Sequence, residues 1–81
     1  MRYFFHLENG GGRSPDEEGS ELGSLDEAHA HAVDGIRSIL SEEALTGRID
    51  LNGRIEVTDA DGAELCRVLY RDAVTIVGAG S

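Results

Sequence analysis

One stretch limits what this chain can become: Ser24 to Gly47 is its only long helical pattern. Leu25, Ala28, Ala32, Ile36, Ile39 and Leu40 recur at steps of three and four, drawing one apolar stripe along a helix. Ser24-Leu25-Asp26-Glu27 reads as a capping box, in which the Ser24 hydroxyl and the Glu27 carboxylate satisfy backbone donors left open at the first turn. Asp26 and Glu27 suit the positive end of the helix dipole, and Gly47 stands where a left-handed residue would stop it. A lone helix must bury its stripe, and the other segments are short, strand-like and punctuated by Gly or Asp. The layout is therefore α+β. We expect a small antiparallel sheet of three to five strands with one long helix packed on one face, in the order strand, short strand, helix, strand, strand.

The strands follow from alternation and turns. Arg2-Tyr3-Phe4-Phe5-His6-Leu7 reads as a strand with Tyr3, Phe5 and Leu7 on one face and Phe4 and His6 on the other. Glu8 to Gly12 and Ser14 to Gly19 carry turn chemistry, which leaves Ser20-Glu21-Leu22 for a short return strand. After the helix, Asn52-Gly53 invites a two-residue hairpin. That register would set Leu51 opposite Arg54 and Ile49 opposite Glu56, so an irregular connector is the better expectation. Arg54 to Thr58 alternates as a strand. A three-residue loop of Ala60-Asp61-Gly62 then pairs Asp59 with Ala63 and Val57 with Leu65. Glu64 to Tyr70 becomes an inner strand with Leu65 and Leu69 on one face and Cys66, Val68 and Tyr70 on the other. Ala73 to Val77 is β-branched enough for a final short strand, and 78–81 reads as a disordered tail after a single domain spanning 1–77.

Composition narrows the function classes. A chain of 81 residues buries only about 60% of the surface its unfolded form exposes, so self-association is an expectation. Sixteen acidic residues against seven basic ones argue against nucleic acid or an anionic membrane surface as partner. The acids are uneven, with ten against three Arg in residues 1–47 and six against four in 48–81. One Cys makes no internal disulfide. No apolar run reaches the ~20 residues of a membrane span and no signal-like segment opens the chain, so a soluble cytoplasmic protein is expected.

No enzyme site assembles from these residues. Asp59-Ala60-Asp61-Gly62 echoes a calcium loop, yet alignment on Gly62 puts Val57 and Val68 where the end acids belong. Asp16-Glu17-Glu18 reads as a solvated loop. His29 should edge the core and His31 should point away to pair with Glu27; a spacing of two keeps them from sharing a metal. Cys66 sits mid-strand without a base beside it, and Gly10-Gly11-Gly12 precedes an acidic turn that would repel phosphate. No catalytic residue, cofactor, metal ligand or small-molecule substrate is expected.

The residues do carry a resemblance. Arg-Tyr-Phe-Phe-His-Leu at the start, Asp-Glu-Glu-Gly before the helix, Asn-Gly-Arg-Ile-Glu-Val-Thr-Asp after it and Arg-Asp-Ala-Val-Thr-Ile near the end resemble a family of small bacterial proteins with a domain of unknown function. The resemblance implies one soluble domain and brings no activity. From Tyr3 to about Leu45 the order strand, acidic turn, short strand and helix is similar to HicB-type antitoxin domains, whose DNA-binding C-terminal part has no counterpart here. The leading expectation is a non-enzymatic interaction module that pairs with itself. Phe4, His6, Cys66, Val68 and Tyr70 would form an apolar interface on the sheet face the helix leaves open. The alternative is an antitoxin-like inhibitor whose acidic first half covers a basic partner protein.

Overall fold

The strands take up the chain on either side of the helix. In the computed structural model, which describes residues 1–78, they are β1 (Arg2–Asn9), β2 (Gly12–Ser14), β3 (Ser20–Glu21), β4 (Arg54–Thr58) and β5 (Glu64–Leu69). One helix, α1 (Leu25–Leu45), separates β3 from β4, and a 3-10 turn at Tyr70–Asp72 follows β5. All pairs are antiparallel, in the order β2-β1-β4-β5, with β3 also pairing β1. The result is an α+β layer of five strands under one helix. Residues 79–81 of the expected tail lie outside the described residues.

Helix α1 starts where its cap requires. Ser24 accepts a hydrogen bond from Glu27 N–H at 3.2 Å, and the Glu27 carboxylate accepts from Gly23 N–H at 2.9 Å, one residue ahead of the expected partner. At the other end Thr46 and Gly47 N–H return to the carbonyls of Glu43 and Ala44, with Gly47 at φ +85°. The buried stripe is Ala28, Ala32, Ile36 and Leu40, all four apart. Leu25, in the first turn, stays 42% exposed because it precedes the residues buried under the sheet. The histidine expectations also change. His29 is exposed, and His31 packs its ring 4.7 Å from that of Phe5 instead of pairing with Glu27, whose carboxylate is already engaged at Gly23.

The sheet's register decides the facing. Phe5 lies opposite Val57 and Leu7 opposite Ile55, so these residues with Tyr3 form the face under α1. The turn after β4 closes as expected, with Asp59 N–H bonded to Ala63 O and Gly62 at φ +86°. Beyond it the register differs. Thr58 pairs with Glu64, but Val57 pairs with Cys66, leaving Leu65 as an extra residue in a β-bulge. That one residue turns the rest of β5 over. Cys66 and Val68 join Val57 and Ile55 under the helix, whereas Leu65 is exposed. Val68, Tyr70 and Ala73 are core residues together with Tyr3, Ile55, Val57 and the helix stripe.

Two connections complete the layer. Gly10 and Gly11 make a two-residue turn between Asn9 and Gly12, so part of the expected loop is the hairpin β1–β2. The segment from Thr46 to Gly53 is an irregular connector, as the side-chain pattern argued. Gly53 itself is buried: a Cβ there would sit 2.6 Å from Tyr70 Cε2, and its carbonyl accepts from Tyr70 N–H at 2.9 Å. No strand forms at Ala73 to Val77. The 3-10 turn sends the chain toward α1, where Ala73 O accepts from Arg37 Nε at 2.7 Å, while Ile76 and Val77 are left exposed. Among the described residues no helix is long and apolar enough to cross a membrane.

Candidate functional site

The face away from α1 is charged, not apolar. On it stand Phe4, His6 and Glu8 of β1, Arg54, Glu56 and Thr58 of β4, Glu64 and Arg67 of β5, and Arg13 of β2, all placed by the alternation of their strands. Arg13 reaches Glu8 at 3.2 Å and Glu56 at 3.0 Å, and Arg54 reaches both carboxylates at 3.1 Å. Arg67 makes a two-pronged contact with Glu64. Hydrogen bonds from Arg13 and Arg54 hold the Glu56 carboxyl below its ordinary range. This ladder occupies the place expected for an apolar interface. Of the five residues expected there, only Phe4 and His6 are on this face. Cys66, Val68 and Tyr70 lie on the helix side or in the core because of the Leu65 bulge.

Phe4 and His6 form one wall of a shallow cavity of about 230 Å³ that also touches Asp16 and Thr58. His6 Nδ1 accepts from the backbone N–H of Asp16 at 3.1 Å, so the ring proton sits on Nε2, which donates to Thr58 Oγ1 at 3.0 Å. Both ring nitrogens are thereby occupied. Asp16 does structural work of its own. Its carboxylate accepts from Phe5, Glu18 and Gly19 N–H at 3.1, 3.2 and 3.1 Å, closing the gap that β2 and β3 leave along the outer edge of β1. Burial pushes the Asp16 carboxyl up, but the three backbone donors and nearby His6 outweigh it and hold the group below its usual value. The acidic turn is thus more than a solvated loop at this one residue.

The remaining candidates are engaged in the fold. Asp59 Oδ1 accepts from Asp61 N–H at 2.9 Å and Ala63 N–H at 3.0 Å, which is hairpin chemistry. Burial and then the Glu64 carboxylate push the Cys66 thiol up, which keeps it protonated. Among the described residues no three His, Cys, Asp or Glu side chains gather to hold a metal.

What the fold leaves open is the outer edge of β5. Tyr70 N–H bonds to Gly53 O on the β4 side, so by alternation the N–H groups of Val68 and Cys66 also face β4. Those of Arg67 and Leu69 then face outward, and no backbone partner meets them among the described residues. The opposite edge of the sheet is β2, of only three residues.

The ladder and Asp16 could be anticipated only in part. Arg54 and Glu56 stand at alternate positions of a strand legible in the sequence, but Glu8 and Arg13 lie in what reads as turn and loop. Residues 2–71 match a family described as "Domain of unknown function (DUF6894)". Neither the curated proteins nor the solved structures give a match.

Proposed function

The chain belongs to this family of unknown function, and from its geometry we propose that it is a protein-interaction module that pairs with a second copy of itself along β5. The observation that carries this reading is the unpaired outer edge of β5, where Arg67 and Leu69 present their N–H and C=O groups to solvent. An edge of this kind is satisfied by another strand, and a two-fold axis lets one surface serve both copies. Side-chain facing restricts the register. Centring the axis on Arg67 would oppose two like charges. Centring it on Val68 sets Arg67 against Leu69 of the other copy and joins the outward-facing groups of both. The Leu65 bulge twists the start of the strand away, so pairing is confined to the regular stretch from Cys66 onward. The four strands in line would become eight, with both helices on the same side.

The test is sedimentation of the full chain at tens of micromolar. The wild type is expected at twice the chain mass. Arg67→Pro removes an outward donor without touching the bonds to β4, and proline is tolerated on an edge, so this variant is expected as a folded monomer. A wild-type monomer, or a dimer that survives Arg67→Pro, overturns the reading.

A further inference from the structure

Two of the three histidines, His29 and His31, are exposed on α1, whereas His6 is half-buried on β1. Its ring ties three segments together. Nε2 donates to Thr58 Oγ1 of β4 at 3.0 Å, and Nδ1 accepts from Asp16 N–H of the acidic turn at 3.1 Å. The second bond exists only while Nδ1 carries no proton. Histidine is the side chain that ordinarily changes charge between about pH 5 and 8, and a charged imidazole is a donor at both nitrogens. The bond to Thr58 survives that change, because Nε2 donates in either state. The bond to Asp16 does not: Nδ1–H and the Asp16 N–H would be two donors aimed at one another.

What hangs on Asp16 is the outer edge of β1. Strand β2 pairs with β1 from Leu7 to Asn9 and β3 pairs at Arg2 and Tyr3, so neither reaches Phe5. Its N–H is met instead by the Asp16 carboxylate at 3.1 Å, which also gathers the N–H groups of Glu18 and Gly19. The charges around the ring leave room for a proton. Glu56 stands opposite His6 on β4, Glu8 follows it on the same face of β1, and Asp59 lines the shallow cavity beside it. The cations of this face, Arg13 and Arg54, are both engaged by Glu8 and Glu56. The Asp16 carboxylate is close enough to feel the charge of the ring and is the acceptor at hand for a new Nδ1–H. We propose that His6 and Asp16 form an acid-operated latch: a second proton on the ring turns Asp16 away from Phe5 and opens the edge of β1 between β2 and β3.

The test is a nuclear magnetic resonance titration of the full-length, 15N-labelled chain from about pH 8 to about pH 5, the range in which imidazoles take up their second proton. The amides of Phe5, Asp16 and Gly19 are expected to shift with the midpoint of the His6 ring signals. Over the same range the exchange of the Phe5 amide, corrected for its intrinsic pH dependence, should rise about tenfold, the factor that goes with one lost hydrogen bond. His6→Asn supplies an oxygen in place of Nδ1 that can accept from Asp16 N–H and takes no proton in this range, so these changes should vanish there. If that variant does not fold, the exchange of Phe5 in the wild type decides the matter. Loop amides that stay unmoved until carboxyl groups titrate near about pH 4 overturn the proposal. So do the same shifts in folded His6→Asn, or a Phe5 exchange rate that does not rise.

Discussion

Gly53→Ala should destabilise the protein more than a single methyl usually does, and the size of the effect follows from the geometry. The added Cβ would lie 2.6, 2.7 and 2.9 Å from Cε2, Cζ and Cδ2 of Tyr70. That ring is fully buried in the core, and the Tyr70 N–H bond to Gly53 O holds the two backbones together, so neither side can withdraw cheaply. Overpacking of this kind costs about 1–3 kcal/mol. Because Gly53 is not at positive φ, alanine gains back about 0.4–1 kcal/mol by restricting the unfolded chain. The net loss is about 1–2 kcal/mol. At about 4–8 °C per kcal/mol for a domain of this size, Tm should fall by about 5–15 °C. Urea and thermal unfolding followed by far-UV circular dichroism measure it. The clash involves ring atoms and not the hydroxyl, so Tyr70→Phe should give no relief, whereas in a Tyr70→Val background the same alanine should cost much less. An unchanged midpoint in the wild-type background would refute the close approach.

The same unfolding measurements test three other points, and calorimetry a fourth. Gly35→Ala places a Cβ in ordinary contact, 3.8 Å from Ile55 Cδ1, and should stabilise α1 by about 1 kcal/mol; a lower midpoint would contradict that spacing. Ser24→Ala removes the N-cap bond and should cost about 1 kcal/mol, seen as a shifted urea midpoint. The Asp16 and Glu56 carboxyls are held below their ordinary values of 3.8 and 4.5, so their contribution is complete above those values and lost as pH falls through the lower folded ones. Acid unfolding should therefore steepen below that range, and Asp16→Asn should be less stable at neutral pH with a flatter acid limb. Calorimetry with calcium or zinc should show no saturable heat; micromolar stoichiometric binding would point first at Asp59 and Asp61.

Local chemistry is legible wherever neighbours in the chain decide it. Ser24 and Glu27 announce the cap, Gly47 the stop, Ala28 to Leu40 the buried stripe, and Ala60-Asp61-Gly62 the hairpin; each depends on residues within a turn of one another. From these the α+β layer of strands under one helix follows, because one stripe needs one sheet. The same reasoning reads Asn52-Gly53 as turn chemistry, whereas Gly53 is there because the ring of Tyr70, seventeen residues further along the chain, presses on it. Asp16 reads as one acid among three, because the unpaired N–H of Phe5 that it satisfies belongs to another segment.

Facing is where tertiary structure took over. A strand's pattern has a period of two, so one extra residue exchanges its two faces. The composition of Glu64 to Tyr70 is apolar on both sides and expresses no preference between them. The bulge at Leu65 made the choice, sending Cys66 and Val68 under α1 and Arg67 to the charged ladder. Burial supplies the reason: Val68 completes the core with Ile55 and Ile36, while Arg67 keeps its charge in water beside Glu64. Composition and local pattern determined the elements of this protein; which side of β5 is inside was decided only when the sheet closed over the helix.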